Sequence, residues 1–244
     1  SSNTDFPISI EPQQTGIIKI NVDNSTLGSV EDHMTLISND LPDGINIALS
    51  VQGTEQNVLS GDLSGTIHSG VYNISGHLNV ATDDVLILEP GTEFLFDGAF
   101  DFIIEGTLIA QGTEEDSIIF TKSENTSWRG FTLTQVSDET IFEYVRISGA
   151  AKHSWEQGAG MYLDNSDPII RHVSIINNDG VVNGGGGMAL IQSDPIMTYV
   201  MISDNVCDQC EGSGMALNQS SPTMTYVTIS NHGGIHGSGM TMAQ

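Results

Sequence analysis

The chain has 244 residues, with 31 Asp and Glu against 6 Lys and Arg, for a formal net charge of -25. So few cations argue against a nucleic-acid surface, whose phosphates need cationic partners, and against anionic membrane surfaces, while so many carboxylates suit a surface that collects divalent cations. No apolar run approaches the roughly 20 residues of a membrane helix, so no membrane insertion is expected. The opening SSNTDFPISI has neither the basic start nor the apolar core of a signal peptide. That leaves a cytosolic protein, a mature secreted protein or a fragment. The abundance of Gly, Ser, Thr, Asn and Asp beside scarce Lys fits long β-structure outside the cell, so an extracellular or cell-surface location is expected.

Residues 1–55 alternate apolar and polar positions without a longer period. FPISIEPQQTGIIKINVD and HMTLISNDLPDGINIALSVQGT read as strands, with hairpin or corner turns at Glu11-Pro12 and SNDLPDG. This stretch resembles the C-terminal half of an immunoglobulin-like surface module, which implies a partial β-sandwich. TEQNVLSGDLSG, residues 54–65, reads as a linker.

From Gly70 the chain becomes a run of strands of four to six residues, with turns at EPG, DG, EG and QG. A repeat then sets in. Gly-Met recurs at 160–161, 187–188, 214–215 and 239–240, prolines at 168, 195 and 222, and Val-x-Ile at Val173/Ile175, Val200/Ile202 and Val227/Ile229. Three features recurring in phase mark a structural repeat of about 27 residues, regular from about residue 158. Each copy holds short alternating segments, GMAL and TYVMI among them, whose period of two belongs to strands with one buried face. Met161, Met188, Met215 and Met240 are therefore expected to stack inside, as are Val173, Val200 and Val227. A leucine-rich repeat fits IRHVSIINN, but the remainder of the copy, DGVVNGGGGMALIQSDP, holds too much glycine for a helix and a second strand. Calcium-binding nonapeptide repeats fail because the glycine clusters lack Asp at the required spacing.

LILEPGTEFLF, IIEGTLIAQGT, SIIFT and WRGFTL resemble the opening coils of secreted bacterial right-handed parallel β-helix proteins of the pectate-lyase-like superfamily, and the Gly-Met coils resemble the same superfamily's repeat. The resemblance spans about residues 60–244. It implies an all-β chain: a partial β-sandwich over residues 1–55, then a right-handed parallel β-helix over residues 56–244. That superfamily hosts lyases, hydrolases, adhesins and stalks alike, so it implies little about function.

Several residues invite a chemical reading. Asp167 and Asp194 recur one coil apart, about 4.8 Å along the axis. Two such carboxylates repel unless a cation bridges them, and Asp164 adds oxygen nearby, so calcium is the cofactor this spacing admits. The plainer reading is an Asp-Pro turn whose side chain splays into water. Tyr144, His172, Tyr199 and Tyr226 share one outward position, where an aromatic row would either stack on sugar rings or pack against itself across strands. Asn177, Asp204 and Asn231 align, as do Asn178, Asn205 and His232, the pattern of a hydrogen-bonded ladder along the axis. Cys207 and Cys210 read as a local disulfide outside the cell, or, with His232 and His236 one coil later, as a zinc site.

For an enzyme the resemblance implies a polysaccharide lyase or hydrolase, with Arg171 or Arg146 as the cation near Asp167 and Asp194. No nucleophile elbow, phosphate loop or triad is present. The expectation is an extracellular structural or adhesive module of a larger cell-surface protein, binding glycans or other surface partners. The alternative is a carbohydrate-active enzyme of the β-helix class. The chain stops at GIHGSGMTMAQ, in the first strand of a new coil, so neighbouring domains or another chain are expected on the open C-terminal coil.

Overall fold

The computed structural model describes residues 29–38, 41–52, 57–124, 126–152, 158–182, 184–210, 212–234 and 239–243. The chain divides into two units, Ser1–Glu55 and Gln56–Gln244. In the first, Ser29–Ser38 and Leu41–Gln52 form an antiparallel pair. The strands that would complete a sandwich fall, in part, on residues 1–28, outside the described residues. The Ser- and Gly-rich stretch 54–65, expected to be a linker, holds the strand Asn57–Asp62 and the first residue of Gly65–Ile67, paired in parallel with Gly70–Val80 and Val85–Leu88. Backbone hydrogen bonds to the next coil, which composition does not report, outweigh the weak propensity of these residues.

The second unit is a parallel β-solenoid of about 6 turns with three faces and no described helix. Gly70–Val80 bends round one corner. Its first half pairs with Thr92–Phe96 and its second half with Phe102–Ile104, so the network counts as one 14-stranded sheet wrapped over the first and second faces. The third face is a separate 7-stranded sheet. The registers reproduce the sequence repeat: Met161 pairs with Met188 and Met188 with Met215, while Ile175 pairs with Ile202 and Ile202 with Ile229.

Inward residues form columns. Phe94, Phe96, Phe102, Phe120, Trp128, Phe131 and Phe142 are fully buried and fill the early coils in edge-on and stacked contacts, such as Phe96 on Trp128 at 4.2 Å. Met161, Met188 and Met215 continue the second face's column, each 0 % exposed. Met240, the last member, is 38 % exposed, and Val227 is half-buried. The expectation of full burial fails for these two because each has an axial neighbour on one side only among the described residues. The glycine before each methionine has a steric cause. A Cβ on Gly160 would lie 2.5 Å from the Gly187 carbonyl oxygen, and one on Gly187 would lie 2.6 Å from that of Gly214. Only glycine lets successive coils close to hydrogen-bonding distance there.

Candidate functional site

Each regular coil has three corners that use one non-glycine residue with positive φ, and between the first and second faces it also runs through a further strand, Asp179–Val182 paired with Val206–Gln209. Between the second and third faces the corner residues are Gln135, Asn165, Gln192 and Gln219 (φ 47 to 51°). Between the third and first they are Tyr144, His172, Tyr199 and Tyr226 (φ 49 to 55°), and after the first face Asn177, Asp204 and Asn231 (φ 54 to 57°). Left-handed backbone costs an L-residue roughly 1–2 kcal/mol, so each corner needs an offsetting interaction. All three have one, and the three differ.

At the first corner type, a serine follows Asn165, Gln192 and Gln219, while Val136 follows Gln135 and its N–H donates to the Ser166 hydroxyl at 3.3 Å. The Ser193 hydroxyl accepts from the Ser166 N–H at 3.0 Å, the Ser220 hydroxyl accepts from the Ser193 N–H at 3.0 Å, and both hydroxyls donate to backbone carbonyls. At the third corner type the expected asparagine ladder is present. Asn205 Oδ1 accepts from both the backbone N–H and the Nδ2 of Asn178 at 3.0 Å, and Asn205 Nδ2 donates to the Ile175 carbonyl at 2.9 Å. His232 ends the ladder: its Nδ1 accepts from the Asn205 N–H at 3.3 Å, and its buried Nε2 has no hydrogen-bond partner among the described residues.

The middle corner carries the aromatic residues. They sit at the corner itself rather than on a strand face, one residue before a valine that points inward. The rings stack face to face: Tyr144 on His172 at 4.5 Å and 6°, His172 on Tyr199 at 4.9 Å and 16°, Tyr199 on Tyr226 at 4.8 Å and 9°. A sugar needs a free ring face, and this stack spends the ring faces on its neighbours. What remains open is the ring edges, the phenol oxygens and the outer face of Tyr226, which is 71 % exposed. The geometry is that of cross-strand packing along the axis.

The acidic residues are not gathered. Asp167 Oδ1 accepts from the Asp194 backbone N–H at 2.5 Å, and Asp194 Oδ1 accepts from the Ser221 N–H, so each carboxylate closes the next coil's turn. Asp164 Oδ1 accepts from Asn165 Nδ2 at 2.7 Å. Among the described residues no group of three or more His, Cys, Asp or Glu side chains converges in a way that would hold a metal ion. Asp164, Asp167 and Asp194 are not gathered into such a group. Cys207 and Cys210 are joined to each other, buried, with Cα atoms 5.5 Å apart. His232 lies one coil on, and His236 lies outside the described residues. Paired sulfurs cannot ligate zinc as thiolates.

No acid–base pair assembles either. Arg146 and Arg171 are exposed on different faces, and neither enters an ion pair among the described residues. An open recess of about 400 Å³ is lined in part by Lys122, Thr126, Asn177 and Asp179, with one cation and one carboxylate. Lys152, 3 % exposed, holds its ammonium 5.7 Å from the centre of the Tyr162 ring. Burial and then the Asp164 charge raise the Tyr162 phenol above its ordinary value.

One feature of the third face has no counterpart among the sequence expectations. Ile87, Ile109, Ile141, Ile169 and Ile196 are in continuous register and point outward. Uneven strand spacing upstream of residue 158 hides this column in the sequence. The Pro-Ile pairs at 168–169 and 195–196 were its visible signal.

No family model matches the chain, and no solved structure matches it. A segment of 71 residues is 31% identical to the protein named Protein bark beetle of Drosophila melanogaster, covering 28% of this chain and 2% of that protein. The chain therefore spans a small fraction of the relative it matches.

Proposed function

We propose that this protein is a structural or adhesive module of a larger extracellular or cell-surface protein, built as a right-handed parallel β-helix of the pectate-lyase-like kind, and that its outer faces meet surface partners. The carrying observation is that serine, asparagine and aromatic ladders run continuously along the regular coils, each beside a turn residue with positive φ. Among the described residues, the turns into and out of the third face are short. Ladders that run through several coils stiffen the axis, as a stalk or a presenting scaffold requires. The Cys207–Cys210 link supports an oxidising compartment. Among the described residues, the central requirement of the carbohydrate-active enzyme reading, a cation or base set beside two carboxylates in a cleft, is not met.

The test is incubation of the purified protein with a panel of neutral and acidic polysaccharides, with and without calcium. The expected result is no new reducing ends and no unsaturated uronate product. Turnover that disappears in Arg171→Ala or Asp194→Asn would overturn the reading in favour of the enzyme.

A further inference from the structure

Outward positions of a solenoid face normally change from coil to coil. On the second face one outward column reads Ile103, Thr132, Tyr162, Ala189, Ala216, Thr241, and on the first face one reads Glu93, Ile119, Arg146, Ser174, Met201, Thr228. On the third face the outward column is isoleucine five times running, Ile87 to Ile196, before it becomes Thr223. A taste for β-branched residues would not select isoleucine in this one column while the others drift. The stripe is open to solvent, with Ile87 39 % and Ile196 48 % exposed at its ends and the middle three half-buried by one another. Four strand spacings of about 4.8 Å make it about 19 Å long.

One flank is acidic. The residue two before Ile141, Ile169 and Ile196 is an exposed acid, Glu139, Asp167 and Asp194, while beside Ile87 and Ile109 that position is Val85 and Thr107 and the exposed acids Asp83 and Glu105 lie two residues further out. On the other side, the next outward column holds Gln111, Glu143, Arg171, Thr198 and Thr225, with Gln111 Nε2 donating to Glu143 at 3.0 Å. Arg171 is the one cation in that column. An apolar stripe with an exposed acid in the turn before each of its strands is complementary to a segment that is apolar on one side and cationic on the other. A second copy of this chain does not fit, because pairing two stripes would bring two acidic rows together in molecules that each carry a formal charge of -25.

We infer that the third face is the adhesive face and that its partner is a cationic, amphipathic polypeptide segment laid along the isoleucine stripe. Apolar side chains of that segment cover the isoleucines, and its lysines or arginines meet the acidic turns. The inference rests on the reading of the protein as an adhesive module and names the partner class. Because it is tested by binding and the module reading by turnover, the two fail separately.

The experiment uses the whole 244-residue chain at low salt and two fluorescent 12-residue peptides of equal charge, one alternating leucine with lysine, the other alternating serine with lysine. Charge attraction alone binds both equally. Burial on the stripe should make the leucine peptide bind at least about tenfold tighter. The double variant Ile141→Thr/Ile169→Thr should erase that advantage while leaving the serine peptide unaffected. Threonine is the residue the column itself takes at Thr223, which favours folding, and Ile87→Thr/Ile196→Thr at the exposed ends serves as a second, milder test. Asp167→Asn/Asp194→Asn should weaken both peptides alike. Equal affinity for the two peptides, or a leucine advantage that survives in both isoleucine variants, would overturn the inference.

Discussion

Replacing Asn205 with alanine should destabilise the solenoid far more than the loss of one exposed-looking turn residue. Asn205 lies 0 % exposed between two coils and serves three partners. Its Oδ1 takes the Asn178 backbone N–H and the Asn178 side-chain amide, and its Nδ2 serves the Ile175 carbonyl. Asn205→Ala removes all three bonds; the Asn178 N–H and the Ile175 carbonyl lose their partner in the ladder, and Asn178 Nδ2 keeps only its longer bond to the Ile147 carbonyl at 3.4 Å. Each group that loses its partner costs about 1–3 kcal/mol, so the two together cost about 2–6 kcal/mol. For a chain of this size that is a fall in melting temperature of roughly 4–24 °C. Amide hydrogen exchange gives the local readout. The Asn178 N–H should lose protection along with its neighbours in Ser174–Ile176, while Phe94 and Phe96, several coils away, keep theirs. The aspartate variant separates shape from hydrogen bonding. Asn205→Asp keeps an acceptor but loses the donor and buries a charge, so it should be no better than alanine near neutral pH. A loss below about 1 kcal/mol in Asn205→Ala, with Asn178 still protected, would refute the claim that the ladder braces this corner.

The other expectations are briefer. Met188→Ala opens a cavity in a column with a buried methionine on each side, so it should cost about 2–5 kcal/mol by denaturant titration, whereas Met240→Ala, at an exposed position, should cost well under half of that. Cys207 and Cys210 should show a two-dalton deficit in the unreduced protein, about the mass of two hydrogens; stoichiometric zinc bound through His232 and His236 would contradict the pairing. Tyr72 and Tyr162 both have phenols raised above the ordinary value of 10.0, Tyr72 by burial and then by Glu89. A raised folded-state value contributes stability that is present below the unfolded value and lost as pH rises through the folded one. Denaturation midpoints taken upward from pH about 9 should therefore fall more steeply in the native sequence than in Tyr72→Phe/Tyr162→Phe.

The parallel solenoid was legible because its repeat is written in residues that have no freedom. Gly187 is forced by the Gly214 carbonyl, Met188 by the inner column, and Asn205 by the groups it must satisfy. The same logic made the asparagine ladder readable, since stacked amides pair only along the axis. Where the repeat loosens, legibility falls. Asn57–Asp62 looked like a linker because its strand character comes from pairing with Gly70–Val80. The isoleucine column went unseen because Ile87, Ile109 and Ile141 are separated by unequal insertions. The aromatic row was visible as a row, but its chemistry depended on ring orientation. Stacking at 4.5 to 4.9 Å gives the ring faces to each other. For Asp167 and Asp194 the sequence offered an Asp-Pro turn beside a cation site, and it could not report that each Oδ1 accepts a backbone N–H of the next coil.

The account stands or falls on parallel coils stacked in one register, and paired spin labels measure that directly. Glu93, Ile119, Arg146, Ser174, Met201 and Thr228 share one outward column, so each step along it is one strand spacing of about 4.8 Å. Labels at Glu93 and Ser174 should report backbone positions about 14 Å apart, and labels at Glu93 and Thr228 about 24 Å apart, a linear increase of one spacing per coil. A distance from Glu93 to Thr228 shorter than that from Glu93 to Ser174, or a broad distribution with no coil-by-coil progression, would contradict the solenoid and the functional reading built on it.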